Sequence, residues 1–145
     1  MIKSRLYLIL VAYIISINSC IGQSKLEESI IVSFVDNEIE TPFQIGESNF
    51  EKCFGDDIMT FEIRDSLVVS SLLNEIKKLK TQKDIDTPDV RQKIQIKSNN
   101  NVVMVLCLDG EASLTRDGIT MKFSKNLQDL INEEIRKYEL RMKEK

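Results

Sequence analysis

Three cysteines, a scatter of carboxylates and no histidine set the chemistry open to this chain. Without imidazole there is no Ser-His-Asp or Cys-His nucleophile, no histidine proton relay and almost none of the common zinc or copper donor sets. The acids cluster in places. Asp84, Asp86 and Asp89 share one stretch and Asp56-Asp57 another. Alternating aspartates suit a calcium loop, but Pro88 stands where such a loop would continue, and neither the glycine nor the later bidentate glutamate follows at the required spacing. A solvated loop accounts for them. Asp109 and Asp117 each precede a glycine, as hairpin turns require. Hydrolysis of a glycoside needs two carboxyl groups flanking a cleft, and nothing in the spacing brings two together. Gly46, Gly55, Gly110 and Gly118 are dispersed, with no phosphate-binding loop among them. The expectation is a chain that is not an enzyme and holds no metal and no cofactor.

The first twenty residues have a different character. Lys3 and Arg5 open the chain with no acid beside them. Leu6 to Ile17 is a run of apolar residues broken only by Tyr7, Tyr13 and Ser16, and Asn18, Ser19 and Cys20 follow. A basic start, a short apolar middle and small residues before a boundary form the layout of a bacterial export signal. The apolar run is well short of the roughly 20 residues that a spanning helix needs.

The end of this run, Ile17-Asn18-Ser19-Cys20, resembles the lipobox of bacterial lipoproteins, in which an aliphatic residue and two small residues precede a cysteine. Asn18 stands where that family has Ala, Ser or Thr. The resemblance covers the first twenty residues only, and the rest of the chain resembles no family that can be named. It implies that residues 1–19 are a signal peptide, and that Cys20 becomes the lipidated N-terminus, followed by a tether over 20–28. At roughly 0.8 kcal/mol per buried CH₂, two or three acyl chains such as palmitate hold a protein on a membrane where one does not. Two other readings stand beside this one. Cleavage after Gly22 would release a soluble secreted protein, and an uncleaved segment would remain as an anchor. The resemblance places the mature domain in the cell envelope facing the periplasm. The outer membrane is favoured, because Ile21 and Gly22 offer no inner-membrane retention aspartate.

Export bears on the two remaining cysteines. In an oxidising compartment Cys53 and Cys107 could pair, and closing a loop of that size would stabilise the fold by roughly 4 kcal/mol. Alternatively, Cys107 is a small apolar residue in a central strand and Cys53 is an unpaired thiol. Both readings remain open on spacing alone.

These residues need a scaffold, and the pattern predicts one α+β domain over 29–145. Residues 29–35 are β-rich, with Ile30, Ile31, Val32, Phe34 and Val35. Residues 36–57 read as an irregular strap, whose Phe43, Phe50 and Phe54 would plug the open side of a sheet. Residues 58–64 alternate, placing Met59, Phe61 and Ile63 on one face. Asp65 or Ser66 then caps a helix carrying Val69, Leu72, Leu73, Ile76 and Leu79 at helical spacing. A four-stranded meander follows over 90–97, 102–108, 112–115 and 119–123, with turns at 98–101, Asp109-Gly110 and Asp117-Gly118. The stretch 102–108 is apolar on both faces, so it should be central and covered on both sides, and Thr115 should lie near the surface. Ser124 caps a last helix with the stripe Leu127, Leu130, Ile131, Ile135, Tyr138 and Met142. The fold class is thus an antiparallel sheet in the order strand-helix-four-strand meander-helix, preceded by an N-terminal strand and a long strap. From residue 58 onward this order is similar to helix-grip and TBP-like topologies, and without the last helix to cystatin-like ones. Those folds host unrelated functions.

The net charge is −3 and the isoelectric point about 5.1, which argues against nucleic acid as a partner. Removing 1–19 takes away Lys3 and Arg5 and no acid, moving the net charge from −3 to −5. The expected partners are the membrane, through the lipid anchor, and a protein of the envelope. An interaction module is the first functional reading, and a carrier of a small apolar ligand is the alternative. An exposed sheet edge or an acidic patch over a filled core favours the first; a continuous apolar cavity favours the second.

Overall fold

The computed structural model describes residues 27–36, 38–83 and 88–144. The expected signal peptide, Cys20 and most of the expected tether lie outside the described residues, as do Asp84 and Asp86. The described chain is an α+β fold built on one six-stranded antiparallel sheet. Its strands are β1 (Glu28–Phe34), β2 (Met59–Ile63), β3 (Gln92–Ser98), β4 (Asn101–Leu108), β5 (Leu114–Arg116) and β6 (Ile119–Met121). Helix α1 (Phe50–Phe54) lies in the strap between two short 3-10 turns; α2 (Ser66–Lys77) follows β2, and α3 (Lys125–Lys143) ends the fold.

The meander from β3 to β6 forms as the turn residues dictate. Asn99 and Asn100 both take positive φ, 49° and 65°, and close β3 onto β4 with a two-residue turn. Asp117 and Gly118, at 50° and 76°, do the same between β5 and β6. These are the conformations that make Asn and Asp-Gly the preferred residues of tight hairpins. Asp109-Gly110 instead opens a longer loop over 109–113, and the strand after it begins at Leu114 rather than at Ala112. Side-chain caps start both long helices. The Asp65 carboxylate accepts from the N–H groups of Leu67 (2.9 Å) and Val68 (3.2 Å), and the Ser124 hydroxyl accepts from that of Leu127 (3.3 Å).

The sheet order is β2-β1-β3-β4-β5-β6. The N-terminal strand, first in the chain, is inserted in space between β2 and β3, with Ile30 beside both Ile63 and Ile96. One face of the sheet packs under α2 and α3. Ile30, Val32, Phe34, Ile94, Ile96, Leu106, Leu108 and Leu114 meet Val69, Leu72, Ile76, Leu127 and Ile131 there. Phe34, Phe61 and Tyr138 close one corner of this layer, the last two stacked 4.8 Å apart. The other face is covered by the strap. Ile45, Phe50 and Phe54 bury themselves against Val35, Val90 and Cys107. Two of the three strap phenylalanines thus plug the sheet, whereas Phe43 stays 62% exposed.

Two expectations for the meander need correction. Strand β4 is central, but only Leu106, Cys107 and Leu108 are buried; Val102 and Val103 are 46% and 58% exposed. The reason is that β5 has three residues and pairs only with Leu106–Leu108. Thr115 is 6% exposed rather than superficial, because it sits opposite Cys107 under the strap side of the sheet.

Candidate functional site

Because all strands are antiparallel, the sheet has two ends with contrasting chemistry. At the first lie the entry of the chain at Glu27 and the β3–β4 turn. The Asn99 N–H donates to the Glu27 carbonyl (3.0 Å), and the Glu27 N–H donates to the Asn99 side-chain oxygen (3.3 Å). Strand β1 thereby begins one residue inside the expected tether. The exposed Val102 and Val103 are at this end. The β5–β6 turn lies part-way along the sheet, level with Val105, where Asp117 and Val105 exchange two bonds of 2.8 Å; Ile119 just beyond it is 56% exposed.

The opposite end is organised by Arg91. Its guanidinium donates to the Asp89 carboxylate (2.7 and 3.1 Å), to the Ile39 carbonyl (2.6 Å) and to the Thr41 hydroxyl (2.9 Å). It also lies over the Phe54 ring, 5.4 Å from its centre. Asp89 in turn accepts from the Ile45 N–H (2.6 Å), while the Val90 N–H donates to the Ile45 carbonyl (2.8 Å). One ion pair thus fastens the strap to the start of β3. Planar Arg chemistry suits this, since one head group reaches a carboxylate, a carbonyl and a hydroxyl at once. Around it stand Asp36, Glu38, Glu40 and Glu111, all exposed, and Asp109, half-buried. A shallow cleft of about 300 Å³ is lined by Asp89, Arg91, Asp109 and Glu111.

The carboxylates picked out by spacing do structural work. Asp109 accepts from the N–H groups of Glu111 (2.8 Å), Ala112 (2.9 Å) and Ser113 (3.0 Å). Partial burial works to raise its pKa, but these backbone donors, with the Ser113 hydroxyl, hold it below the usual carboxylate value. Asp117 is occupied by the Val105 N–H. Of the stretch Asp84, Asp86 and Asp89, only Asp89 is described, and its charge belongs to Arg91. Among the described residues, no three Cys, Asp or Glu side chains converge as a metal-binding group.

Cys53 and Cys107 are not bonded to one another in this structure. Cys53 is exposed on α1, while Cys107 is buried in β4. Burial, and next the nearby negative charge of Glu47, push the Cys107 thiol up to about 12. It is a protonated, unreactive group at neutral pH.

Arg91 is the residue that sequence reasoning missed. The signal for it was present, since Asp89 and Arg91 are two apart at the start of an extended segment and so share one side of it. Compared with known protein families, curated proteins and solved structures, the chain matches none.

Proposed function

We propose that this chain is a non-catalytic interaction module of the bacterial cell envelope, held to the membrane by lipidation of Cys20, and that its acidic end is the surface offered to a protein partner. One observation carries the reading. The Arg91 network fastens the strap to the start of β3, and with the neighbouring 109–113 loop they form one acidic surface at the end of the sheet opposite the entry of the chain. An anchor at Cys20 would leave that end facing away from the bilayer. Among the described residues, five carboxylates there, Asp36, Glu38, Glu40, Asp109 and Glu111, have no cationic side chain among their bonds, so a partner with a basic face meets complementary potential. The interior supports the same choice. Among the described residues, side chains fill both faces of the sheet, and another surface cleft, also about 300 Å³, mixes Leu79 and Phe123 with the charged Glu75, Lys78, Lys80 and Lys122.

The test is a pull-down from detergent-solubilised envelope, with the lipidated protein and a Glu38→Lys/Glu40→Lys/Glu111→Lys variant as baits. A partner retained by the first, lost by the second and released by salt is the expected result. A partner held equally by both baits overturns the surface assignment. The anchor has its own arm. Cys20→Ala should abolish incorporation of a fatty-acid analogue and leave unprocessed precursor. A mature protein beginning at Gln23 would instead establish soluble secretion.

A further inference from the structure

We propose that the Asn99 end of the sheet is a membrane-docking tip, in which Val102 and Val103 seat shallowly in the interfacial layer of the same bilayer that holds the anchor. The proposal rests on the lipidation of Cys20 and goes beyond it, because a tether alone requires no contact between the domain and the lipid. Reach comes first. Glu27 lies seven positions beyond Cys20, a span of at most about 25 Å when fully extended. Glu27 is hydrogen-bonded to the β3–β4 turn itself. A lipidated Cys20 therefore keeps this turn within about 25 Å of the surface.

The tip has the composition of an interfacial contact. Val102 and Val103 stand on a stretch of β4 whose outer edge no strand covers among the described residues. Proteins usually blunt such an edge with lysine or proline; here it is apolar. Asn99, Asn100 and Asn101 surround it with uncharged hydrogen-bonding groups suited to headgroup depth. The charges at this end lean acidic, with Lys97 and Arg64 beside Glu27, Glu28, Glu62 and Asp65. Glu62 is held by Ser29 and Arg64 and Asp65 caps α2. Docking is thus an apolar contact with a zwitterionic surface, indifferent to salt, and compatible with the acidic mature chain. The uncovered backbone of β4 limits its depth, since unpaired N–H and C=O groups are costly within hydrocarbon. Tethering supplies the high effective concentration that lets a few side chains suffice.

The chain contains no tryptophan, so one introduced at the tip reports alone. The lipidated protein carrying Val103→Trp, reconstituted in phosphatidylcholine vesicles, should show blue-shifted emission and be quenched by brominated lipid several-fold more than Glu111→Trp at the far end. Val102→Trp provides a second tip probe if the first disturbs the fold. Quenching at the tip should persist in 0.5 M salt and after a Gly-Ser insertion following Gln23 lengthens the tether. Its loss on lengthening overturns the proposal, since mere proximity then explains the signal. Equal quenching at both ends on vesicles that do carry the protein overturns docking while leaving the anchor intact. A blue shift in native envelope vesicles but not in pure lipid assigns the tip to a protein partner and overturns the lipid proposal. Protein that carries no acyl mass and fails to float with vesicles removes the anchor reading, and docking with it.

Discussion

Asp109 closes the β4–β5 loop with its charge, and pH should expose this. Its folded pKa is depressed below the unfolded value by backbone donors acting against partial burial. A depressed carboxylate stabilises the fold above its unfolded pKa, near 4, and loses that contribution as pH falls through the folded pKa. Asp109→Asn should therefore cost about 1–2 kcal/mol at pH 7, the lower part of the range for charge-assisted bonds because the group is partly exposed. The gap between variant and wild type should shrink as urea unfolding is repeated from pH 5 down toward pH 3; a constant gap would mean that the shape of the side chain matters and not its charge. The two thiols provide a second residue-level check. Cys53, exposed on α1, should react with a thiol reagent in the native protein, while buried Cys107 should react only once the fold opens. Equal native rates would show that the strap leaves the sheet readily.

Strand β4 is half core and half surface, and substitutions along it should divide accordingly. Leu106→Ala, fully buried under the helices, should cost about 2–5 kcal/mol in denaturant unfolding. Val103→Ala, only three positions away, should fall within about ±0.5 kcal/mol. A large cost at Val103 would mean that the outer edge of β4 is covered in solution. The same contrast explains how far the elements were legible. Both caps, the turns at Asn99-Asn100 and Asp117-Gly118, and most of the helix stripes follow from local rules and stand where spacing puts them; Met142, at the end of α3, is 52% exposed, and Leu79 is buried just beyond the end of α2. How far each strand is covered does not follow locally. The alternation of Val102–Leu108 describes the strand itself, whereas its exposure depends on how short β5 is. The place of β1 was equally hidden. Its pairing with β2 and β3 joins residues far apart in sequence, and periodicity says which face a residue takes, not which strand lies beside it.

At the scale of the molecule, the candidate surfaces were the least legible part. The acids were visible as residues, but the Arg91 network and the Val102–Val103 tip arise only when loops distant in sequence meet at the ends of the sheet. The two edges of the sheet also differ. Edge strand β6 is sealed by the segment after α2, through the bond from the Gln82 N–H to the Thr120 carbonyl (3.0 Å) and from the Lys122 N–H to the Lys80 carbonyl (2.7 Å), which hides it from strand-to-strand association. The interior position of β1 has a mechanical consequence. A pull on the chain where it enters at Glu27, resisted at the Arg91 end, runs along β1, which is bonded to β2 on one side and β3 on the other. Both ladders are then loaded in shear, and their hydrogen bonds must fail together, whereas an edge strand pulled crosswise would peel open one bond at a time. In single-molecule stretching between residues 27 and 111, the domain should withstand markedly higher force than when pulled between 111 and 121, which unzips β6 from β5. Equal rupture forces would show that β1 does not carry the load. A domain built this way suits a short leash, since tension on its attachment falls on the strand held from both sides.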